Sequence, residues 1–370
     1  MSVAALPSLI DTVRAAAARA TPLRICGGGT KDFLARGLDG EPLPTTGLTG
    51  IVAYEPSELV VTVRAGTPLA ELEAALAAQG QCLPFEPPRF GPGGTVGGMV
   101  ASGLSGPARA SVGAVRDFVL GLELVNGRGE ALTFGGQVMK NVAGYDVSRL
   151  MAGGWGTLGV ITAVSLKVLP VAPAEATLKF ACNQAEALRR LNAWGGQPLP
   201  LNASCWVEDA GVGTLFLRLR GAAAAVEAAC RSLGGERQDN AVVAADWTAC
   251  RDQRLPWFAA RNPAHGLWRL SVPQTAPVLA LPPGVGAPLV EWHGGQRWVQ
   301  AGPEHAAALR SAATQAGGHA TLFIAYSDHS TLGIDRFEPL KAPLDRIHRR
   351  LKAEFDPAGL FNRGRLYADL

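Results

Sequence analysis

Two glycine-rich segments in the N-terminal half constrain this 370-residue chain more than any other feature of its sequence. The first reads Cys-Gly-Gly-Gly-Thr-Lys-Asp-Phe over residues 26–33, and the second covers residues 91–103, about 65 positions later. Glycine lets the main chain approach a ligand without a Cβ in the way, and successive free N–H groups form an anion-binding concavity. Two such segments predict bare backbone closing around one long polyanionic ligand, for which a dinucleotide pyrophosphate is the natural candidate.

The first segment taken alone fits a tight surface turn as well as a ligand site. A Rossmann fingerprint needs Gly-x-Gly-x-x-Gly opening a helix, whereas these three glycines are consecutive and Gly37 and Gly40 soon interrupt any helix. The segment also lacks the Gly-Lys-Ser/Thr ending of a P-loop. The second segment favours the ligand, because small residues occupy nearly every position over a dozen residues and a flat ligand would fill the space they leave.

Charge and cysteine spacing argue against several classes of protein. The net charge of +3 is small for this length and forms no basic block, so we expect no nucleic-acid partner. The six cysteines form no Cys-x-x-Cys pair, which offers neither a zinc nor an iron–sulfur site. No apolar run reaches the roughly 18 residues of a membrane helix, and the N-terminus lacks the order of a signal peptide. We therefore expect a cytoplasmic protein with no membrane span of its own.

Strands, helices and glycine segments interleave over the first 170 residues and predict an α+β domain. Residues 23–26 read as a strand, residues 50–65 as a strand pair, and a helix follows with Thr67 as its cap and Pro68 at its first position. A further strand is predicted over residues 115–125, closed by a two-residue Asn126-Gly127 turn. From about residue 175 to 325, two βαβ-like units predict a small sheet covered by helices on one side, followed by an amphipathic helix over residues 339–355.

Four stretches together resemble the FAD-binding domain of the vanillyl-alcohol-oxidase/PCMH flavoprotein superfamily. They are residues 27–33, 91–103, 139–146 (Met-Lys-Asn-Val-Ala-Gly-Tyr-Asp) and 355–367. Within the superfamily the chain most resembles the FAD-binding subunits of glycolate oxidase, over its whole length. The resemblance implies a PCMH-type FAD-binding domain of two α+β subdomains over residues 1–170. It further implies an α/β cap domain over 171–330, and a C-terminal helix and tail over 331–370 that return to the flavin.

The same resemblance implies which residues bind FAD. The first segment should ring the phosphates, the second should follow the ribityl chain and isoalloxazine, and the strand after Gly159 should touch the adenine half. The implied cofactor-binding residues are Gly27, Gly28, Gly29, Thr30, Lys31, Gly93, Gly94, Thr95, Gly97, Gly98, Ser102, Arg109, Gly113, Gly159, Ile161, Asn362 and Arg365.

Catalytic residues are less well indicated than cofactor-binding ones. Lys140, Asn141, Tyr145 and Asp146 are candidates because they belong to one of the four stretches that carry the resemblance. An alternative interpretation is equally open: Asn141 and Asp146 would merely cap the following helix.

Histidine placement bears on how the flavin is held. All six histidines lie beyond residue 264, and Lys31-Asp32 stand where many relatives carry a histidine bonded to FAD. The resemblance therefore implies non-covalent FAD. Relatives that oxidise D-2-hydroxy acids also carry a His-x-Gly-Asp-Gly-Asn metal motif, whereas residues 325–330 here keep only His329. We expect no metal site, and since substrate oxidation needs a cation and a base, we expect little activity from the chain alone.

Three functions remain open from the sequence. The first is an FAD-binding subunit of a glycolate (2-hydroxy acid) dehydrogenase complex in glyoxylate metabolism. It would work beside a larger FAD-containing catalytic subunit and an iron–sulfur subunit, and would reach the inner membrane only through that complex. The second is a self-sufficient FAD-dependent D-2-hydroxy acid or alcohol dehydrogenase, and the third is a non-catalytic scaffold. The sequence leaves open whether electrons pass through this flavin.

Overall fold

A computed structural model describes residues 5–34, 39–136, 146–326 and 333–370. The chain forms two compact units. Unit 1 comprises Met1–Leu104, Ala114–Val171 and Pro339–Leu370, and unit 2 comprises Ser105–Gly113 and Ala172–Glu338. The sequence placed residues 105–113 inside the first domain, whereas the structure assigns them to unit 2.

The helices of the described residues are α1 (Ala5–Arg19), α2 (Leu69–Ala77), α3 (Val96–Ser102), α4 (Arg109–Val112), α5 (Val115–Phe118), α6 (Val147–Met151), α7 (Gln184–Gly195), α8 (Ala223–Leu233), α9 (Asn240–Arg251), α10 (Pro256–Ala259), α11 (Ala306–Gln315) and α12 (Leu344–Phe355).

The strands of the described residues are β1 (Leu23–Cys26), β2 (Glu41–Pro44), β3 (Ile51–Glu55), β4 (Val60–Arg64), β5 (Gln81–Cys82), β6 (Val119–Val125), β7 (Ala131–Gly135), β8 (Val160–Lys167), β9 (Leu169–Pro170), β10 (Ala174–Ala181), β11 (Leu201–Asp209), β12 (Val212–Gly221), β13 (Glu236–Arg237), β14 (Gly266–Ser271), β15 (Leu289–Glu291), β16 (Gln296–Ala301) and β17 (His319–Ile324).

Unit 1 is built on a five-stranded antiparallel sheet in the order β3-β4-β8-β6-β7. The central strand β8 is buried along nearly its whole length, as expected for a strand covered on both faces. Beside this sheet, β1 and β2 pair in parallel. The predicted strand at residues 23–26 and the strand pair within residues 50–65 are confirmed.

The cap predicted for α2 is wrong. Pro68 is the residue before the first helical turn, and no side chain caps it. The Thr67 hydroxyl instead accepts a hydrogen bond from the Gly50 N–H at 2.9 Å. Because this hydrogen bond joins Thr67 to the residue before β3, it links the start of that strand to the loop before α2.

The strand predicted over residues 115–125 begins later than expected. Val115–Phe118 form the short helix α5, in which Asp117 accepts a hydrogen bond from the Ala114 N–H at 2.8 Å. The turn after β6 is also longer than the two residues predicted, because β7 does not begin until Ala131. The Asn126 side chain accepts hydrogen bonds from the N–H groups of Arg128 and Glu130, which stabilises this longer loop.

The C-terminal tail returns to β1 in unit 1. Phe361 bridges Leu23 in a parallel arrangement, and the Leu23 N–H donates to the carbonyl oxygen of Leu360 at 2.8 Å. Both Leu360 and Phe361 are fully buried in a core that also contains Leu9 and Val13 of α1. The two ends of the described chain therefore pack on each other beside β1.

Unit 2 contains an eight-stranded sheet in the order β13-β10-β12-β11-β15-β16-β14-β17. Its pairings are all antiparallel among the described strands, so the predicted βαβ-like units do not produce parallel strands. One sheet face packs on α7 and α8 through residues such as Leu178. Thr177 points to the opposite face, where its hydroxyl accepts a hydrogen bond from Trp247 of α9. The prediction that helices cover one side only is therefore wrong.

No helix among the described residues combines the length and the apolar character needed to cross a bilayer.

Candidate functional site

The two glycine-rich segments meet in unit 1, with their backbones in direct contact. A Cβ built on Gly28 would lie 1.4 Å from the carbonyl oxygen of Gly93, and one built on Gly27 would lie 2.8 Å from Thr95 Oγ1. Any side chain at position 28 would therefore displace main chain, which is the close approach that glycine permits.

The second glycine-rich segment is part loop and part helix. Thr95 caps α3 by accepting a hydrogen bond from the Gly98 N–H, and Gly103 ends the helix in the left-handed conformation. A Cβ on Gly97 would lie 2.7 Å from the Cβ of Ala65. Some of the small residues thus serve helix packing, whereas the sequence predicted that a ligand fills the space of the missing side chains.

A cavity lies where the two segments meet, and its walls come from four parts of unit 1. The first glycine segment and α3 form two walls, residues 155–161 form a third, and the C-terminal tail contributes the fourth. Thirteen of the predicted cofactor-binding residues line it: Gly27, Gly28, Gly29, Thr30, Lys31, Thr95, Gly97, Gly98, Ser102, Gly159, Ile161, Asn362 and Arg365. Their contact with a cofactor stays a prediction.

Seven further lining residues were not among the predicted ones. They are Ile25, Asp32, Thr45, Ala65, Ala101, Trp155 and Gly156. A signal existed for Trp155 and Gly156, because they belong to a third glycine-rich segment at residues 153–159 of which only Gly159 was taken. Thr45 and Ala65 directly follow β2 and β4, and nothing in the sequence indicates that these strand ends reach the cavity, so only the tertiary structure brings them here.

Gly93 and Gly94 are not among the residues that line the cavity. Gly93 is packed against Gly28, and the carbonyl oxygen of Gly94 accepts a hydrogen bond from the Leu69 N–H at 2.8 Å. These residues support the wall by backbone contacts, and their predicted contact with flavin remains untested.

Arg109 and Gly113 belong to unit 2 and do not line this cavity. The Arg109 guanidinium stacks 4.4 Å from the ring centroid of Trp292. Gly113 follows α4 with a φ of +104°. Their predicted role as neighbours of the cofactor stays a prediction.

Lys31 places a buried ammonium group in the cavity wall. Its side chain is 9% exposed, and desolvation by burial lowers its pKa from 10.5 to about 8. Its Nζ lies 5.9 Å from the ring centroid of Phe90, and no carboxylate among the described residues forms an ion pair with it. A buried cation without a counter-charge is favourable only when an anion arrives beside it, which fits a phosphate ligand.

Arg365 and Asn362 bring the C-terminal tail into the cavity wall. Arg365 donates from Nη2 to Asp32 at 3.1 Å, while its buried Nε has no hydrogen-bond partner among the described residues. Asn362 accepts a hydrogen bond from the Ile25 N–H at 2.9 Å and donates to the carbonyl oxygen of Trp155 at 2.7 Å. Asn362 thus joins two walls, and Arg365 offers a second cationic donor.

Of the catalytic candidates, only Asp146 lies among the described residues; Lys140, Asn141 and Tyr145 lie outside them. Asp146 caps α6 by accepting a hydrogen bond from the Arg149 N–H, and its carboxylate also pairs with the Arg149 side chain at 2.8 Å. The capping interpretation is confirmed for this residue. His329 also lies outside the described residues, within which no group of three His, Cys, Asp or Glu side chains could hold a metal ion.

The donor set of the cavity fits a dinucleotide diphosphate. Gly27 and Gly28 both line the cavity, and a side chain at either position would collide with Thr95 or Gly93 of the second glycine-rich segment and disturb that lining. Lys31 supplies a positive charge without a described anionic partner, and Arg365, which pairs with Asp32, has an Nε–H without a described hydrogen-bond partner. Anions bind where backbone N–H groups and such cations converge.

Comparison with known proteins gives three findings. Residues 3–135 match a family described as an FAD binding domain. The chain is 46% identical over 363 residues to the glycolate oxidase subunit GlcE of Escherichia coli (strain K12), covering 98% of this chain and 97% of that protein. A shorter match, 31% identical over 168 residues, relates it to the glycolate oxidase subunit GlcD of Bacillus subtilis (strain 168) and covers 42% of this chain and 36% of that one.

Among solved structures, alkyldihydroxyacetonephosphate synthase is similar in fold. The TM-score is 0.63, the identity is 15%, and the match covers 96% of this chain and 74% of that one. At that identity the similarity concerns the fold alone. Together with the FAD binding domain, it gives the chain the mixed helix-and-sheet architecture of PCMH-type flavoproteins.

Proposed function

Because this chain belongs to the family of the glycolate oxidase subunit GlcE, we propose that it is the FAD-binding subunit of a complex that oxidises glycolate, or a closely related 2-hydroxy acid, to the 2-oxo acid. The protein is an FAD-dependent oxidoreductase subunit, since residues 3–135 match an FAD binding domain. The single observation that carries the proposal is similarity to GlcE along essentially the whole of both chains.

FAD binding is supported by the cavity in unit 1. The backbone of residues 27–29 and the N-terminal part of α3 hold the diphosphate, with Lys31 as its counter-charge. The tail residues Asn362 and Arg365 complete the wall on the other side. FAD, when bound, would supply two-electron redox chemistry to the complex. The cofactor is held without a covalent bond, because Lys31 and Asp32 occupy the positions where many relatives carry the linking histidine.

Substrate oxidation is proposed to need partner subunits. The sequence has no His-x-Gly-Asp-Gly-Asn motif to bind the cation that would hold a substrate carboxylate. A larger flavin subunit of the GlcD kind, to which 42% of this chain is similar, would supply that function. An iron–sulfur subunit would receive the electrons. We place the complex in the cytoplasm, with any attachment to the inner membrane made through the partners.

Purification of the chain alone and together with its GlcD-type and iron–sulfur subunits tests this proposal. We expect the lone chain to be yellow, to release one FAD on denaturation, and to reduce a dye acceptor negligibly with glycolate. The full complex should turn over glycolate and carry at least one FAD more than a complex lacking this chain.

Two results would contradict the proposal. Robust glycolate or D-lactate oxidation by the lone chain would make it a self-sufficient dehydrogenase. A colourless chain that cannot be reconstituted with FAD, but still assembles with its partners, would make it a scaffold.

A further inference from the structure

A second cavity lies in unit 2, with none of its lining shared with the cofactor cavity. It encloses about 550 Å³ on the sheet face that carries α9 and α10. We call it the α9–α10 cleft. Protein interiors are close-packed and leave few voids larger than a water molecule, whereas ligand and side-chain pockets occupy about 300–1,000 Å³. The volume of the α9–α10 cleft is therefore in the range of a binding pocket.

The walls of the α9–α10 cleft are largely apolar, and hydrogen bonds attach them to the underlying sheet. Trp247 of α9 donates from Nε1 to Thr177 at 2.9 Å, and the carbonyl oxygen of Trp257 in α10 accepts from the Gln300 side chain at 2.7 Å. Phe216 of β12 and Val207 of β11 contribute the floor. Because hydrogen bonds hold both tryptophan-bearing helices to the sheet, the cleft is formed before anything enters it.

The rim of the α9–α10 cleft is acidic. Glu208 and Asp209 end β11, Asp246 projects from α9, and all three side chains are exposed. None of the three forms an ion pair with a described residue. Small hydroxy acids would be repelled here, so the cleft is not a second site for the anionic substrate.

Apolar side chains continue onto the surface beside this acidic rim. Val212 is 60% exposed and lies directly opposite Asp209 in the β11–β12 pairing. Val242 is 67% exposed and lies four residues before Asp246, on the same side of α9. An apolar centre with a charged rim is the anatomy of a protein–protein interface, in which tryptophan is enriched at the positions that contribute most.

We propose that the α9–α10 cleft receives an apolar side chain from a partner subunit, on a segment where Lys or Arg flanks that side chain. This rests on the proposed function, because it requires that the chain work as a subunit. The apolar anchor fills the space over Phe216 between the two tryptophans, and the basic flanks pair with Glu208, Asp209 and Asp246. We commit to the GlcD-type flavin subunit as the partner, because GlcD is another glycolate oxidase subunit to which this chain is similar.

The variant Ala260→Trp tests the proposal with a close control. Ala260 lines the cleft and is exposed, so a tryptophan there can fill the space without entering the core. Ala259 is its neighbour, equally exposed, and does not line the cleft. Each variant is titrated with the purified GlcD-type subunit. Ala260→Trp should lower the affinity of this chain for that subunit about tenfold or more, as for loss of an interface hot spot. Ala259→Trp should leave the affinity within twofold of that of the wild-type chain.

A charge reversal on the acidic rim tests independently whether the partner binds at this surface. Asp246→Lys should weaken binding at low salt and reduce the dependence of affinity on salt. Asp11→Lys, at an exposed carboxylate on α1 in unit 1, should leave both unchanged. All four variants should keep wild-type FAD content, since none of the four substituted residues lines the cofactor cavity.

The outcomes separate this inference from the proposed function. If the wild-type chain assembles while Ala260→Trp and Asp246→Lys bind equally well, the docking proposal is wrong and the subunit assignment stands. A small apolar molecule that is carried by the wild type, lost from Ala260→Trp and without effect on assembly would also overturn it. Failure of the wild-type chain to bind the GlcD-type subunit would contradict both the docking proposal and the subunit assignment.

Discussion

Gly28 shows most directly how a single residue type makes the cofactor cavity. Its backbone lies against Gly93, and no Cβ fits between them. Residues 27–29 line the cavity, and at Gly28 the two glycine-rich segments are in backbone contact. A side chain at Gly28 would therefore displace one of the two segments that form the cavity wall.

Replacing Gly28 with alanine should abolish most FAD binding. The new Cβ would lie 1.4 Å from the carbonyl oxygen of Gly93, so one of the two segments must move out of position. We expect at least about a tenfold loss of FAD affinity, corresponding to roughly 1.4 kcal/mol or more, measured by flavin fluorescence titration. Gly136→Ala is the control, because a Cβ there meets nothing within 4 Å. Equal affinity in the two variants would contradict the role of Gly28.

Lys31 should stabilise the complex with FAD and destabilise the free protein. Burial lowers its pKa from 10.5 to about 8, so below pH 8 the FAD-free folded state carries a desolvated charge. That difference corresponds to at most about 3 kcal/mol. Lys31→Met should therefore raise the free energy of unfolding of FAD-free protein at pH 7 while weakening FAD binding. As pH rises from 8 to 10.5, wild-type Lys31 loses its proton in the folded state and the gain in stability should disappear.

Chemical denaturation of FAD-free protein at pH 7 and pH 10.5 measures this effect. Lys341→Met serves as the control, since Lys341 is exposed and should change the free energy of unfolding little at either pH. A Lys31→Met variant that is less stable than wild type at pH 7, yet binds FAD normally, would show that the residue acts only by packing.

At the level of elements, α12 holds the C-terminal tail against the cavity through one buried ion pair. Lys352 Nζ donates to Asp356 at 2.7 Å and also to the carbonyl oxygens of Thr157 and Phe361. The Asp356 carboxylate accepts from the N–H groups of Leu360 and Phe361. Burial lowers the pKa of Lys352, and the neighbouring Asp356 opposes that shift. The pair joins α12, the tail and the third glycine-rich segment.

Asp356→Ala should destabilise the protein strongly and weaken FAD binding as well. Lys352 would remain as a buried charge without its carboxylate, and removing one partner of a buried pair costs about 3–5 kcal/mol. Loosening the tail would also displace Asn362 and Arg365. Asp369→Ala removes an exposed partner of Arg349 and should cost no more than about 1 kcal/mol. Thermal unfolding with and without FAD measures both, and similar losses in the two variants would refute the special role of the buried pair.

For the whole molecule, the cofactor cavity is assembled from segments far apart in the chain. Its walls include residues 25–32, 95–102, 155–161 and 362–365, all within unit 1. The family match ends at residue 135, so the later walls lie beyond it. Binding of FAD therefore depends on the fold of unit 1 from its first strand to its C-terminal tail.

Hydrogen exchange should reveal this dispersed cavity. Adding FAD should slow amide exchange around residues 25–32 and 95–102, and also around residues 155–161 and 360–365, because ligand binding stabilises the segments that form the site. The floor of the α9–α10 cleft, near Phe216 in unit 2, provides an internal reference that should change little. Protection confined to residues before 136 would contradict a cavity completed by the tail.

The sequence alone predicted many of the residues that line the cavity, because its signal there is local. Consecutive glycines at 27–29 and small residues over 91–103 restrict the backbone wherever they occur, and the resemblance they carry pointed to an FAD domain. Alternating apolar residues likewise located β3 and β4. Tail residues Asn362 and Arg365 were named through resemblance, since nothing in their local pattern indicates a return across more than 300 residues.

Tertiary contacts settled the features that have no local signature. Trp155 and Gly156 line the cavity because the Asn362 side chain holds their segment against β1. Residues 105–113 belong to unit 2, where Arg109 stacks on Trp292, and its predicted contact with the flavin stays a prediction. The α9–α10 cleft was not foreseen at all. Local sequence patterns determine which conformations a segment can adopt, whereas long-range packing determines which segments lie next to it. A cavity is formed between such neighbouring segments, so only the tertiary structure could reveal it.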